Sequence, residues 1–169
     1  MMNKFRWGNV NDPNVYLCET NLRLLSLFRR NFGQLADALI EENKKDSAVM
    51  ALDRSYEVIP VFQLALSYTD LVLLEQYYRA DAKEKGSNLA EMMFKATREE
   101  MDYLMSFPRQ FSNSIANELY NKRVVLYHIC SITRRYDREL FETYKQYWDM
   151  LYPQERWDMM FQQQMFEGD

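Results

Sequence analysis

FGQLADALIEENKKDSAVMALDRSYEVIP, residues 32–60, is the stretch on which the fold turns. Phe32, Leu35, Ala36 and Leu39 recur at spacings of three and four, the period that lines one face of an α-helix. Asn43-Lys44-Lys45 interrupts the pattern as a turn. Ala48, Ala51, Leu52, Ser55 and Ile59 then resume it on a second helix, from about Asp46 to Ile59. Pro60 ends that helix, because proline lacks an amide hydrogen and disfavours helix in the residue before it. No run alternates with period two for more than a few residues, so strands are a poor reading. The unit is a helical hairpin.

Upstream, Leu22, Leu25 and Phe28 extend the first stripe, with Thr20 or Asn21 as N-cap and an end near Glu42. Before it lies a turn-rich lead, Trp7-Gly8-Asn9-Val10-Asn11-Asp12-Pro13. Downstream, the prolines repeat the plan. Pro13, Pro60, Pro108 and Pro153 stand 47, 48 and 45 residues apart, and each interval has room for two helices and a connection. The second interval predicts a helix from about Val61 to Ala80, apolar on more than one face through Leu64, Leu66, Leu71, Leu73, Leu74 and Tyr77. A turn over Asp81–Gly86 follows, then a helix capped by Ser87 or Asn88 that runs to about Ser106. Its inward stripe is Leu89, Met92, Met93, Ala96 and Leu104. A loop over Arg109–Asn113 leads to a helix from Ser114 to about Arg134, with Ile115, Leu119, Leu126, Ile129 and Cys130 inward. The last long helix spans about Asp137–Leu151 and carries Leu140, Phe141, Tyr144, Tyr147, Trp148 and Leu151. The organisation is a single helical domain: lead 1–19, hairpins 20–60, 61–107 and 109–152, and tail 153–169.

Composition agrees with this plan. The chain has 169 residues, 47% hydrophobic and 15% aromatic, enough apolar surface for a core and too much for a disordered chain. Four Gly and four Pro are too few for the many turns of a sandwich or barrel. A net charge of −4 gives no chain-wide basic field for nucleic acid. The longest stretch without a charge, Val58–Thr69, is 12 residues and contains Pro60, short of the ~20 apolar residues of a membrane span. Lys4 and Arg6 are followed by no apolar run of the signal-peptide kind. Met1-Met2 is compatible with a start added to an excised domain.

The quoted stretch resembles a tetratricopeptide repeat. Phe32, Leu35, Ala36 and Leu39 match its bulky, bulky, small, bulky positions, Ala48, Leu52 and Ser55 its small, bulky, small ones, and Pro60 its terminal proline. Small side chains let helix axes approach to ~8–10 Å. Asn43, which also tolerates positive φ, stands where the repeat has a turn glycine. The second hairpin fits loosely through Leu74, Tyr77, Gly86, Ala90 and Met93, and the third shows no match. The implied fold is all-α, a right-handed tetratricopeptide-like stack of three antiparallel helical hairpins with a short C-terminal tail. A wider resemblance rests on Phe5-Arg6-Trp7-Gly8, Asn11 through Leu17, Phe28-Arg29-Arg30-Asn31-Phe32, Leu35 through Leu39 and Lys45 through Ala48. These stretches are similar to the C-terminal soluble region of bacterial polytopic membrane proteins related to protein O-mannosyltransferases. That resemblance implies a non-catalytic accessory domain on the extracytoplasmic face of the membrane. Its partner would be an acceptor polypeptide or the parent enzyme.

The repeat's groove positions, carried over by that resemblance, are Arg30, Gly33, Gln34, Asp37 and Glu41 from the first repeat. Tyr68, Leu71, Glu75, Tyr78 and Arg79 come from the second. The rival reading is a saccharide pocket lined by tyrosines between hairpins. Reactive machinery is sparse. His128 is the sole histidine, which removes the usual Ser/His/Asp and Cys/His sets unless His128 itself serves. With Cys18 and Cys130 it makes a poor zinc site, and the two cysteines read as free, partly buried thiols, a disulfide being the alternative if they meet in space. Glu41-Glu42 and Glu99-Glu100 are helix neighbours pointing about 100° apart, so neither pair converges on one atom. Arg134, Arg135 and Arg138 read as a helix C-terminal cap paired with Glu139 or Glu142. Trp157, Met159, Met160, Phe161, Met165 and Phe166 read as a cap on the open end of the stack, the alternative being contact with a partner or the membrane surface. No cofactor, metal or enzymatic activity is expected.

Overall fold

α1 (Glu19–Glu41) and α2 (Lys45–Val58) form the expected hairpin. The reversal is a Schellman turn: Asn43 takes a left-handed φ of 60°, Lys44 N–H reaches Leu39 O at 2.8 Å and Asn43 N–H reaches Ile40 O at 2.8 Å. Those bonds satisfy carbonyls that the helix end would leave bare. The computed structural model describes residues 6–155 and 157, so Met1–Phe5 and most of the Met/Phe-rich tail lie outside the described residues. Leu25 and Phe32 of α1 pack with Ala51 and Val58 of α2 and with Ile59, and Trp7, Val10 and Leu17 of the lead close over them. Trp7 meets Phe28 edge-on at 5.5 Å and stacks on Phe32 at 5.9 Å.

α3 (Asp70–Arg79) packs against both α1 and α2. It is shorter than the periodicity predicts. Residues 61–69, expected as its first half, form turns and irregular chain instead. The reason is a buried side-chain network. Arg29, fully buried, donates to Ile59 O at 2.7 Å, Leu64 O at 3.1 Å and Asp70 Oδ1 at 3.1 Å. Asp70, equally buried, also accepts from Tyr56 Oη at 2.9 Å and from Ser67 N–H at 2.8 Å. These bonds hold the backbone in a shape a continuous helix cannot take. The same segment anchors the lead, since Gln63 Nε2 donates to Asp12 O at 2.7 Å and Val15 O at 3.2 Å.

α4 (Lys83–Met105) begins earlier than expected. A second Schellman turn reverses the chain within three residues. Asp81 has φ 61°, Ala82 N–H reaches Tyr77 O at 3.0 Å and Asp81 N–H reaches Tyr78 O at 3.1 Å. Neither Ser87 nor Asn88 is therefore a cap, and Gly86 lies inside the helix rather than in a turn. Its role is close approach: a Cβ there would lie 3.1 Å from the Tyr78 ring. Met92, expected inward, is 49% exposed.

The chain divides into two compact units within α4, the first ending at Met93 and the second starting at Phe94. In the second unit, the expected loop after Pro108 contains a 3-10 turn, Arg109–Phe111. It leads to α5 (Ser112–Tyr136), which starts two residues before and ends two residues after the predicted bounds. α6 (Arg138–Leu151) packs along α5 through buried Phe141, Tyr144, Tyr147 and Trp148. Phe94 stacks on Tyr144 at 4.0 Å, and Tyr147 donates to Asp102 at 2.9 Å. Trp157, the one tail candidate that is described, is buried among Tyr127, Phe141 and Trp148, with ring centroids 5.0–5.8 Å away. Among the described residues the chain is all-helical, with no strand and no helix long and apolar enough to cross a membrane.

Candidate functional site

An open groove of about 350 Å³ lies in the first unit, where α2, the Pro60 turn, α3 and the start of α4 meet. Pro60, Val61, Leu89 and Met92 make its apolar wall, and Tyr56 and Tyr77 its floor. Each element has a local reason to be there. Pro60 stops α2, the Asp81 reversal brings α4 back beside α3, and Gly86 lets the two come close.

The buried polar groups of the groove are already engaged. Tyr77, 4% exposed, donates to Asp53 Oδ1 at 3.0 Å, and Lys85 Nζ donates to Asp53 Oδ2 at 2.6 Å. Burial, reinforced by the Asp53 charge, pushes the Tyr77 phenol well above its ordinary range. Burial and Asp70 do the same to Tyr56. Both phenols are therefore hydrogen-bond donors at neutral pH and unsuited to general-base work. Burial also raises the Asp70 carboxyl, while Arg29, the Ser67 amide and Tyr56 pull it back. Asn88, exposed on the rim, carries an amide donor and acceptor.

The residues carried over from the repeat resemblance fall elsewhere in the first unit. Arg79 joins Asp37 and Glu41: it donates to Asp37 Oδ1, to Glu41 Oε1 at 2.7 Å and to Gln76 Oε1 at 2.9 Å. Hydrogen bonds to both carboxylates raise the Arg79 guanidinium further above its ordinary range, Asp37 contributing most. Arg30 and Gln34 are exposed on α1 and Glu75 is half-buried on α3. Tyr78 is buried against Gly86, and Leu71 is buried in the core. Gly33 belongs to a helix crossing, since a Cβ there would lie 3.1 Å from Val72 Cγ1 and 3.2 Å from Leu73 Cδ1. Tyr68, expected on a helix, is exposed in the turn before α3.

Glu42 pairs with Lys44, Glu100 with Lys122, and Arg138 faces Glu142 at 3.9 Å. His128 is half-buried with its ring 5.6 Å from that of Tyr127. Among the described residues no three His, Cys, Asp or Glu side chains converge as metal ligands. Cys18 is exposed and Cys130 buried, both as free thiols. Burial, with Asp149 nearby, pushes the Cys130 thiol well up. Thiol titration of the native protein is expected to modify Cys18 promptly and Cys130 only on unfolding. Two fast thiols would contradict the buried placement of Cys130.

Arg29, Asp70 and Tyr56 are the residues that reading the sequence overlooked. A signal existed. Arg29 falls in line with Leu25, Phe32 and Ala36 on the apolar stripe, and Asp70 is the first charge after the longest uncharged run. Compared with known proteins, the chain matches no family model, no curated protein and no solved structure.

Proposed function

We propose that this chain is a non-catalytic helical binding domain, tetratricopeptide-like in its first hairpin, that holds an extended stretch of polypeptide in the groove beside Met92. In this reading it serves a membrane glycosyltransferase of the O-mannosyltransferase-related kind, on the extracytoplasmic face. Holding the acceptor near the catalytic part raises its effective concentration without bond chemistry. The packing of α1 on both α2 and α3 supports the repeat-like stack. The lead and first hairpin carry the resemblance to that family.

One observation favours polypeptide over saccharide. A saccharide site needs open aromatic faces and polar groups with bonds to give. Here the Tyr77 and Tyr56 hydroxyls donate to Asp53 and Asp70, and Asp53 also takes Lys85. What remains for an occupant is the wall of Pro60, Val61, Leu89 and Met92, with Asn88 and the spare N–H donors of Lys85 on the rim. That combination suits alternating side chains and a backbone amide of an extended peptide.

Met92→Glu places a charge in the groove at an exposed position, so the fold survives. On an array of random peptides the parent chain is expected to retain a subset. The variant is expected to lose ~10-fold or more in affinity, by the scale of an unpaired charge in an apolar site. Binding of oligosaccharides without peptides would replace this reading with the saccharide one. Peptide binding unchanged by Met92→Glu would move the site away from the groove.

A further inference from the structure

The second unit carries a feature of a different kind at the connection from α4 to α5. Lys122 of α5 pairs with Glu100 of α4, so the two helices run side by side there and residues 106–111 form the end of a hairpin. Tyr103, Phe107 and Phe111 make a continuous aromatic ladder along that end, with ring centroids 5.1 and 6.2 Å apart, each pair edge-to-face. All three are exposed, as is Met105 beside them, and Tyr103 reaches 65%. From Tyr103 to Asn117 the chain has 15 residues with no acid and one base, Arg109, which is exposed. Among the described residues Arg109 has no ion-pair partner. The turn is rigidly built: Ser106 Oγ caps Tyr103 O at 2.7 Å, and Ser112 Oγ caps Arg109 O at 2.6 Å.

We infer that this hairpin end is a bilayer-contact surface, with Tyr103, Met105, Phe107 and Phe111 entering the headgroup–acyl boundary and Arg109 meeting lipid phosphate. Amphipathic rings partition to that depth, and a cation among them gains from an anionic leaflet. The absence of any carboxylate over the whole stretch is the discriminating observation. A protein partner sets no such condition on sign, whereas an anionic surface repels each acid. A single tip of four apolar side chains and one cation gives weak, reversible attachment that depends on lipid charge. The residues belong to the second unit, so the inference stands independently of the peptide groove.

Co-sedimentation of the full chain with vesicles of phosphatidylcholine plus phosphatidylglycerol tests it, with pure phosphatidylcholine vesicles alongside. The chain is expected to pellet with the mixed vesicles and much less with the neutral ones. Phe107→Ser/Phe111→Ser is expected to abolish pelleting on both. Arg109→Glu is expected to weaken binding about tenfold or more on anionic vesicles only. These residues are exposed, so circular dichroism melts should match the parent; should the double variant not fold, Tyr103→Ser with Arg109→Glu carries the test. Failure to pellet, or pelleting indifferent to these changes, overturns the inference. So does lipid-free dimerisation abolished by the double variant, which assigns the surface to a second copy. Peptide capture without lipid binding overturns it too, in favour of an occupant of the adjacent cleft of about 450 Å³ lined by Leu104, Ile115 and Leu119.

Discussion

Arg29→Met is expected to lower the unfolding free energy by about 3–5 kcal/mol, the range for removing one partner of a buried ion pair. The loss has two parts. Asp70 is left as a buried charge with Tyr56 and the Ser67 amide and hydroxyl to hold it. The carbonyls of Ile59 and Leu64 lose their donor as well, and each such group costs ~1–3 kcal/mol when left bare. A urea titration followed by circular dichroism should show a lower midpoint at similar slope. Adding Asp70→Asn removes the stranded charge, so the double variant should recover part of the loss rather than adding to it. A single variant within about 1 kcal/mol of the parent would contradict the role given to Arg29.

Trp148→Ala is the second large effect, again about 3–5 kcal/mol, as for a fully buried aromatic cut back to a methyl group. Trp148 is ringed by Trp157 at 5.5 Å, Tyr152 at 4.8 Å and Tyr127 at 6.0 Å. Its Nε1 donates to Glu155 O at 2.8 Å, and Arg123 lies over it at 5.6 Å while pairing with Glu155. Truncation thus opens a cavity and releases the chain end that the indole holds. Trp148→Phe keeps an aromatic ring and loses the hydrogen bond, so it should cost only ~1–2 kcal/mol. Equal losses for Ala and Phe would mean that the hydrogen bond, not the packing, holds residues 152–155.

The helical class and most helix bounds were legible because periodicity is local. Phe32, Ala36, Ala48 and Leu52 announce their faces within two turns of chain. α3 was misjudged at its start because the decisive bonds run from Arg29 to Asp70, 41 positions apart, where no local pattern reports them. The α3–α4 turn was placed too late because glycine has two uses. Gly86 read as a reversal, whereas the reversal is made by Asp81 and Gly86 serves packing against Tyr78. The groove was invisible for a related reason. Asp53, Tyr77, Lys85 and Met92 come from three helices and share no motif. Of the positions transferred from the repeat resemblance, the cluster Asp37, Glu41 and Arg79 does assemble, through charge pairing across α1 and α3.

The strap of Gln63 across Asp12 and Val15 ties the lead to the segment that the buried ion pair shapes. Gln63 lies between Ile59 and Leu64, whose carbonyls Arg29 holds together with Asp70. Loosening the ion pair is therefore expected to loosen the lead as well, and linkage makes the coupling mutual. Removing the strap takes two hydrogen bonds from the lead but leaves Trp7, Val10 and Leu17 on the core, whereas removing the ion pair weakens the segment that carries the strap.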